Sequence, residues 1–154
     1  MKVKSLKELR KAVEKAIDNS LENEVFEVVR SEEIKSIETD VFAVYTPEIY
    51  ERRAFGGIDD EENITHDTVK NGTIKIENIT EFNQEYKTAN EGPELAVLIE
   101  YGHGNKDYYY DYPSSNDFCD PRPFISNTRI RLKKSEKHKE PLKNGLKRIN
   151  IKIK

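Results

Sequence analysis

Between Ser5 and Pro47 apolar residues return at every third or fourth position, and no other feature of the chain limits its fold as much. Leu6, Leu9, Val13, Ile17 and Leu21 form one stripe of a helix, with Ser5 placed to cap it and Lys and Glu between the apolar positions. A second helical pattern runs through Val25, Val28, Val29, Ile34, Ile37, Val41 and Val44. Pro47 ends it by disfavouring the helical conformation at Thr46. Polar Asn19 to Asn23 either joins two helices or interrupts one long one. Such a stripe has to be covered by a second layer, which the rest of the chain must supply.

The strongest local signal for that layer lies in THDTVKNGTIKIENIT. Asn71-Gly72 suits the positive backbone angles of a type I′ turn, and Ile74 and Ile76 alternate after it, so a β-hairpin is expected. Ile79 falls out of phase with Ile76, which puts a bulge or the strand end near Glu77 and Asn78. PELAVLIEYGHGN reads as a short helix, with Pro93 at its first position, Leu95, Leu98 and Ile99 on one face, and Gly102 and Gly104 as its stop. A basic helix is expected from Thr128 onward, broken or restarted at Pro141 and continued through Leu142 and Leu146. The final INIKIK alternates Ile149, Ile151 and Ile153 like an edge strand. The expectation is one α+β domain over residues 1–154. Long N-terminal amphipathic helices pack on a small antiparallel sheet, made of the hairpin and a C-terminal strand, and a basic helix follows.

Two tracts fit none of these elements. EIYERRAFGGIDDEENI follows Pro47 and is long for a connection; irregular loops beyond about 12 to 15 residues are usually functional. Tyr50, Arg52, Arg53 and Phe55 give it residue types enriched at interface hot spots. Tyr108, Tyr109, Tyr110 and Tyr112 form the second, and Tyr buries large area while keeping a polar tip at a protein interface.

Charge narrows the range of partners. Arg129 to Lys154 holds eleven Lys or Arg against two Glu, a balance of +9, leaving the first 128 residues with fifteen basic against twenty-seven acidic side chains, −12. A chain so divided can bind a polyanion through its basic end, or join copies of itself, basic end to acidic body. Apolar residues are 35% of the chain and charged ones 36%, with no run long enough to span a membrane, so no membrane partner is expected. The N-terminal stretch lacks the apolar region of a signal peptide, and the single Cys119 excludes an intrachain disulfide framework, which points to a reducing compartment. Asn-x-Thr triplets at Asn63, Asn71 and Asn78 would then carry no glycan.

Glu100, His103, Asp107, Cys119 and Asp120 are the residues from which an enzyme would be built, but their spacing matches no metal, nucleophile or phosphate motif. No catalytic residue, metal site or cofactor is expected. His66 and His138 stand alone in polar stretches and read as solvated. A nucleic-acid reading would use Lys133, Lys134, Lys137, Lys139, Lys143, Lys147 and Arg148 without sequence specificity.

The order of features carries a resemblance. VYTPEIYERR with its Gly-rich turn, a hairpin, LIEYGHG, and DPRPFISNT opening a basic helix together resemble the head–tail joining or tail-completion family of tailed bacteriophages. The matching steps are Glu100, Tyr101 and Gly102, then Pro121, Arg122, Pro123, Phe124 and Ile125. Tyr45, Pro47, Tyr50, Arg52 and Arg53 look like the version found in Firmicutes phages. Asn105 to Phe118 departs from the pattern by widening the gap between the two steps. The resemblance implies a non-catalytic virion subunit, made in the host cytoplasm, that forms a homo-oligomeric ring of hexameric or dodecameric size in the neck or at the tail top. Its partners would be neighbouring neck and tail proteins, with non-specific contact to DNA in the channel. A tail terminator or a head-side adaptor is the nearest alternative. Rigid prolines on either side of Arg122 would hold that side chain out as an intersubunit contact and aim Phe124 at the core.

Overall fold

Ser5 opens the first helix in extended backbone, and its Oγ accepts the N–H of Glu8 at 3.2 Å. In the computed structural model, which describes residues 5–44, 55–80, 95–102 and 120–149, that helix does not stop at the polar stretch. It continues as α1 (Leu6–Ser20), a π turn (Leu21–Val25), α2 (Phe26–Ser36) and a second π turn (Ile37–Phe42). All the junction residues keep right-handed helical angles. Asn19 to Asn23 therefore interrupts one helix rather than joining two. In each π turn an N–H reaches five residues back, Phe26 to the Leu21 carbonyl and Ala43 to that of Glu38. The whole rod is on the order of 55 Å long at 1.5 Å per residue.

The hairpin forms as expected. Strands β1 (Ile64–His66) and β2 (Ile76–Asn78) pair antiparallel with Ile64 opposite Asn78 and His66 opposite Ile76. Asn71 (φ 53°) and Gly72 (φ 70°) make the left-handed pair that a type I′ turn requires. The pairing slips by one residue between the Asp67–Lys75 hydrogen bond and the Lys70–Thr73 bridge, so the bulge lies at Thr68–Val69 and β2 simply ends at Asn78. Asn78 is buried while Ile79 is 43% exposed. The inward position in phase with Ile74 and Ile76 is thus polar.

Helix α3 (Leu95–Tyr101) is stopped by Gly102, whose φ of 72° lets its N–H return to the Leu98 carbonyl at 2.8 Å. Helix α4 (Phe124–Ser135) begins four residues earlier than its sequence pattern predicts. It ends at Glu136 in left-handed conformation, and α5 (Lys139–Arg148) restarts three residues on. Pro141 is therefore not the break. It occupies the first turn of α5, where a missing N–H costs nothing.

The core gathers Ile37 and Val41 from the second π turn, Ile58, Ala96 of α3 and Phe124 of α4, flanked by Phe42, Ile99 and Ile125. Ile37 and Phe124 are fully buried, and burying a ring of that size is worth about 1.5–3 kcal/mol. At the other end of the rod α1 packs on α5 through Ala16, Ser20, Gly145 and Leu146. Leu6 and Leu9, expected on the buried stripe, are 85% and 37% exposed, because α5 reaches the helix only further along. The fold is α+β: mostly helical, with a two-stranded antiparallel sheet and a basic C-terminal helical pair. The strand expected in INIKIK lies outside the described residues beyond Ile149.

Candidate functional site

Glu100 and the Pro121–Ile125 step, twenty residues apart in sequence, meet in one joint. Helix α4 has no side-chain cap of its own, since its N-cap residue is Pro123. The buried Glu100 carboxylate supplies it instead, accepting the N–H of Ile125 at 2.8 Å and, at its other oxygen, the N–H of Ser126 at 3.0 Å and the Ser126 hydroxyl at 2.5 Å. A carboxylate at a helix N-terminus also meets the positive end of the helix dipole. The backbone N–H of Arg122 donates to the Ile99 carbonyl at 2.8 Å and locks the approach. Gly102 is buried and ends α3 there, whereas Tyr101 is 55% exposed. Pro121 and Pro123 are exposed and Arg122 is half-buried. The Phe124 ring enters the core.

A second polar cluster lies beneath this joint. The Asn78 amide donates to the Ile58 carbonyl at 2.8 Å and to Glu33 at 3.3 Å, while its oxygen accepts the N–H and hydroxyl of Thr80. Burial pushes the Glu33 carboxyl above its ordinary 4.5; the Asn78 bond opposes this, and the negative charge of Glu100 adds to the rise. Further along the same rod, Arg131 of α4 donates to Ser36 at 2.5 Å, to Thr39 at 3.1 Å and to Asp40 at 2.8 Å, and Asn127 donates to the other Asp40 oxygen at 3.0 Å. Burial raises the Asp40 pKa, but the bonds from Arg131, Asn127 and Thr39, with the Arg131 charge, outweigh it and hold the carboxyl below 3.8.

Sequence reasoning missed Glu33, Asp40, Asn78, Arg131 and Gly145. Only Gly145, a glycine inside a helical pattern, carried a local signal, since such a residue usually has a packing reason.

The expected surface residues divide. Phe55 is 88% exposed, at the edge of a turn closed by Asp60, whose carboxylate accepts the N–H groups of Gly56 and Glu62. Tyr50, Arg52, Arg53, Tyr108, Tyr109 and Tyr110 lie outside the described residues, as do His103, Asp107 and Cys119. His66 is not simply solvated: its ring sits edge-on to Phe26 at 4.4 Å, with Arg30 over the same Phe26 ring. His138 is half-buried, and its Nδ1 is buried without a hydrogen bond. Among the described residues no His, Cys, Asp and Glu cluster could hold a metal, and no helix is long and apolar enough to cross a membrane.

Part of the basic tail is ion-paired within the chain. Lys137 reaches Glu32, Arg148 reaches Glu24, Lys139 reaches Glu136 and Lys143 reaches Glu140. Among the described residues, three of the tail's eleven basic side chains reach acidic residues of the first 128: Arg131 to Asp40, Lys137 to Glu32 and Arg148 to Glu24. A groove of about 550 Å³ between α2 and α5 is lined by the Lys137–Glu32 and Arg148–Glu24 pairs. On α4, Arg129, Lys133 and Lys134 remain exposed, with no ion-pair partner among the described residues.

No curated protein and no solved structure matches the chain. A family model does, over residues 5–148, a span that takes in the long helix, the hairpin, the Glu100 joint and both C-terminal helices. By that match the chain belongs to the YomN family, a phage-type family of Bacillus.

Proposed function

We propose that this protein is a virion structural subunit of the phage neck or tail top, a ring-forming head–tail connector of the tail-completion kind. The observation that carries the reading is the Glu100 joint. The two steps by which the sequence resembles tail-completion proteins form one hydrogen-bonded unit, and every described motif side chain whose contacts are known serves to cap or anchor α4. Such residues position a surface rather than perform a reaction. Membership in a phage-type family supports the same class. The tail-completion role is preferred to a tail terminator or head-side adaptor because the order of the steps fits it best.

The test is the composition of particles released after phage induction. Peptides of this chain should co-purify with intact particles through a density gradient, and negative-stain images of the isolated protein should show closed rings. A protein absent from particles and monomeric at every concentration sinks the proposal.

A further inference from the structure

The exposed face of α4 is more than a basic helix surface. Thr128, Arg131 and Leu132 turn inward, leaving Arg129, Ile130, Lys133 and Lys134 outward at positions one turn apart. Ile130 is 50% exposed, so the patch has an apolar centre among three cations that have no ion-pair partner among the described residues. The Phe55 turn is its complement. There Phe55, 88% exposed, precedes Asp59, Glu61 and Glu62, and the loop is held by hydrogen bonds from Gly56 and Glu62 to Asp60.

The two patches belong to different elements: the turn reaches Arg30 of α2 through Glu61 at 3.6 Å, and the cationic face lies on the side of α4 away from Arg131, which bonds Ser36 and Asp40. Phe55 and Ile130 are both exposed, so neither patch covers the other within one molecule. Two different complementary patches join copies head to tail, which is the geometry of rings.

We infer that the Arg129–Ile130–Lys133–Lys134 face of one copy receives the Phe55–Glu62 turn of a second copy, forming the repeating contact of the assembly. This rests on the reading above that the chain self-assembles. Phe55 and Ile130 supply the apolar centre, and the carboxylates and cations around them set orientation.

Sedimentation velocity of the full chain tests it with three variants: Lys133→Glu with Lys134→Glu, Glu62→Lys, and Phe55→Ala. All change exposed side chains, so thermal melts should match wild type. Each should weaken self-association by about tenfold or more, as misplaced charge or a lost anchor does at a contact. Mixing the two charge variants should restore assembly, because each then offers the sign that the other needs. Wild-type oligomers that survive every variant overturn this pairing and leave the ring reading standing. Loss of salt-sensitive DNA retention in the lysine variant, with oligomers unchanged, would assign the face to DNA instead. A wild-type chain that stays monomeric overturns this pairing, and one that is also absent from particles overturns the reading it rests on.

Discussion

The two ends of the long helix are packed by different means. Around the second π turn the chain buries large side chains, with Ile37 and Phe124 fully enclosed and Val41, Ile58 and Ala96 beside them. Between α1 and α5 it brings backbones together over small residues: a Cβ placed on Gly145 would stand 1.7 Å from Ser20 Oγ and 3.0 Å from its Cβ. The first region is held by volume and is harmed by taking atoms away. The second is held by proximity and is harmed by adding them.

The largest test of that contrast is Phe124→Ala, which should cost about 3–5 kcal/mol in urea denaturation because the ring is wholly enclosed. A loss below about 1 kcal/mol would mean that this core is not the main store of stability. Glu100→Ala should cost about 2 kcal/mol, since the Ile125 and Ser126 amides lose their acceptors. Hydrogen exchange at those two amides should accelerate more than elsewhere in α4. Gly145→Ala should cost up to about 2 kcal/mol, overpacking by about 1–3 kcal/mol against a gain of nearly 1 in helix propensity. Adding Ser20→Ala should recover part of it, as the 1.7 Å clash disappears and the 3.0 Å approach stays. A stabilising Gly145→Ala would show that the two helices are not in close contact.

The smallest effect concerns pH. With its folded-state pKa raised above 4.5, Glu33 contributes stability that is present below that value and lost as pH rises through the raised one. Glu33→Gln should therefore raise stability at neutral pH and flatten the dependence just above 4.5. Asp40 works the other way: its depressed pKa gives stability present above 3.8 that is lost as pH falls through the lower value. Asp40→Asn should lessen the acid-side slope while leaving the Glu33 one. Chemical denaturation at a series of pH values separates them.

What the sequence made legible is what neighbouring residues decide among themselves. The Ser5 cap, the Asn71–Gly72 turn and the Gly102 stop each rest on backbone angles or bonds spanning a few residues, and each is found where the pattern puts it. The sequence pattern puts the start of α4 four residues late because the helix's cap comes from Glu100, twenty-five residues before Ile125. The sequence leaves the continuity of the rod open because a π turn keeps helical angles and needs no special residue type. Buried Asn78 was invisible because its partners, Ile58 and Glu33, come from distant segments. For the candidate site, the exposed Phe55 followed from residue type alone. Which cations stay unpaired did not, since that depends on where α2 lies against α4 and α5.

The π turn at Leu21–Val25 sets an angle between two partnerships, α1 with α5 on one side and α2 with α4 on the other. Removing a single residue there would turn the first part of the rod by about 100° against the second while leaving both helices intact. Evolution could use that as a dial. An insertion or deletion in the middle of a helix, ordinarily ruinous, would here re-register α1 against α5 while leaving the Ile37–Phe124 core in place, so length changes among relatives should gather at Leu21–Val25 rather than in the surface loops alone.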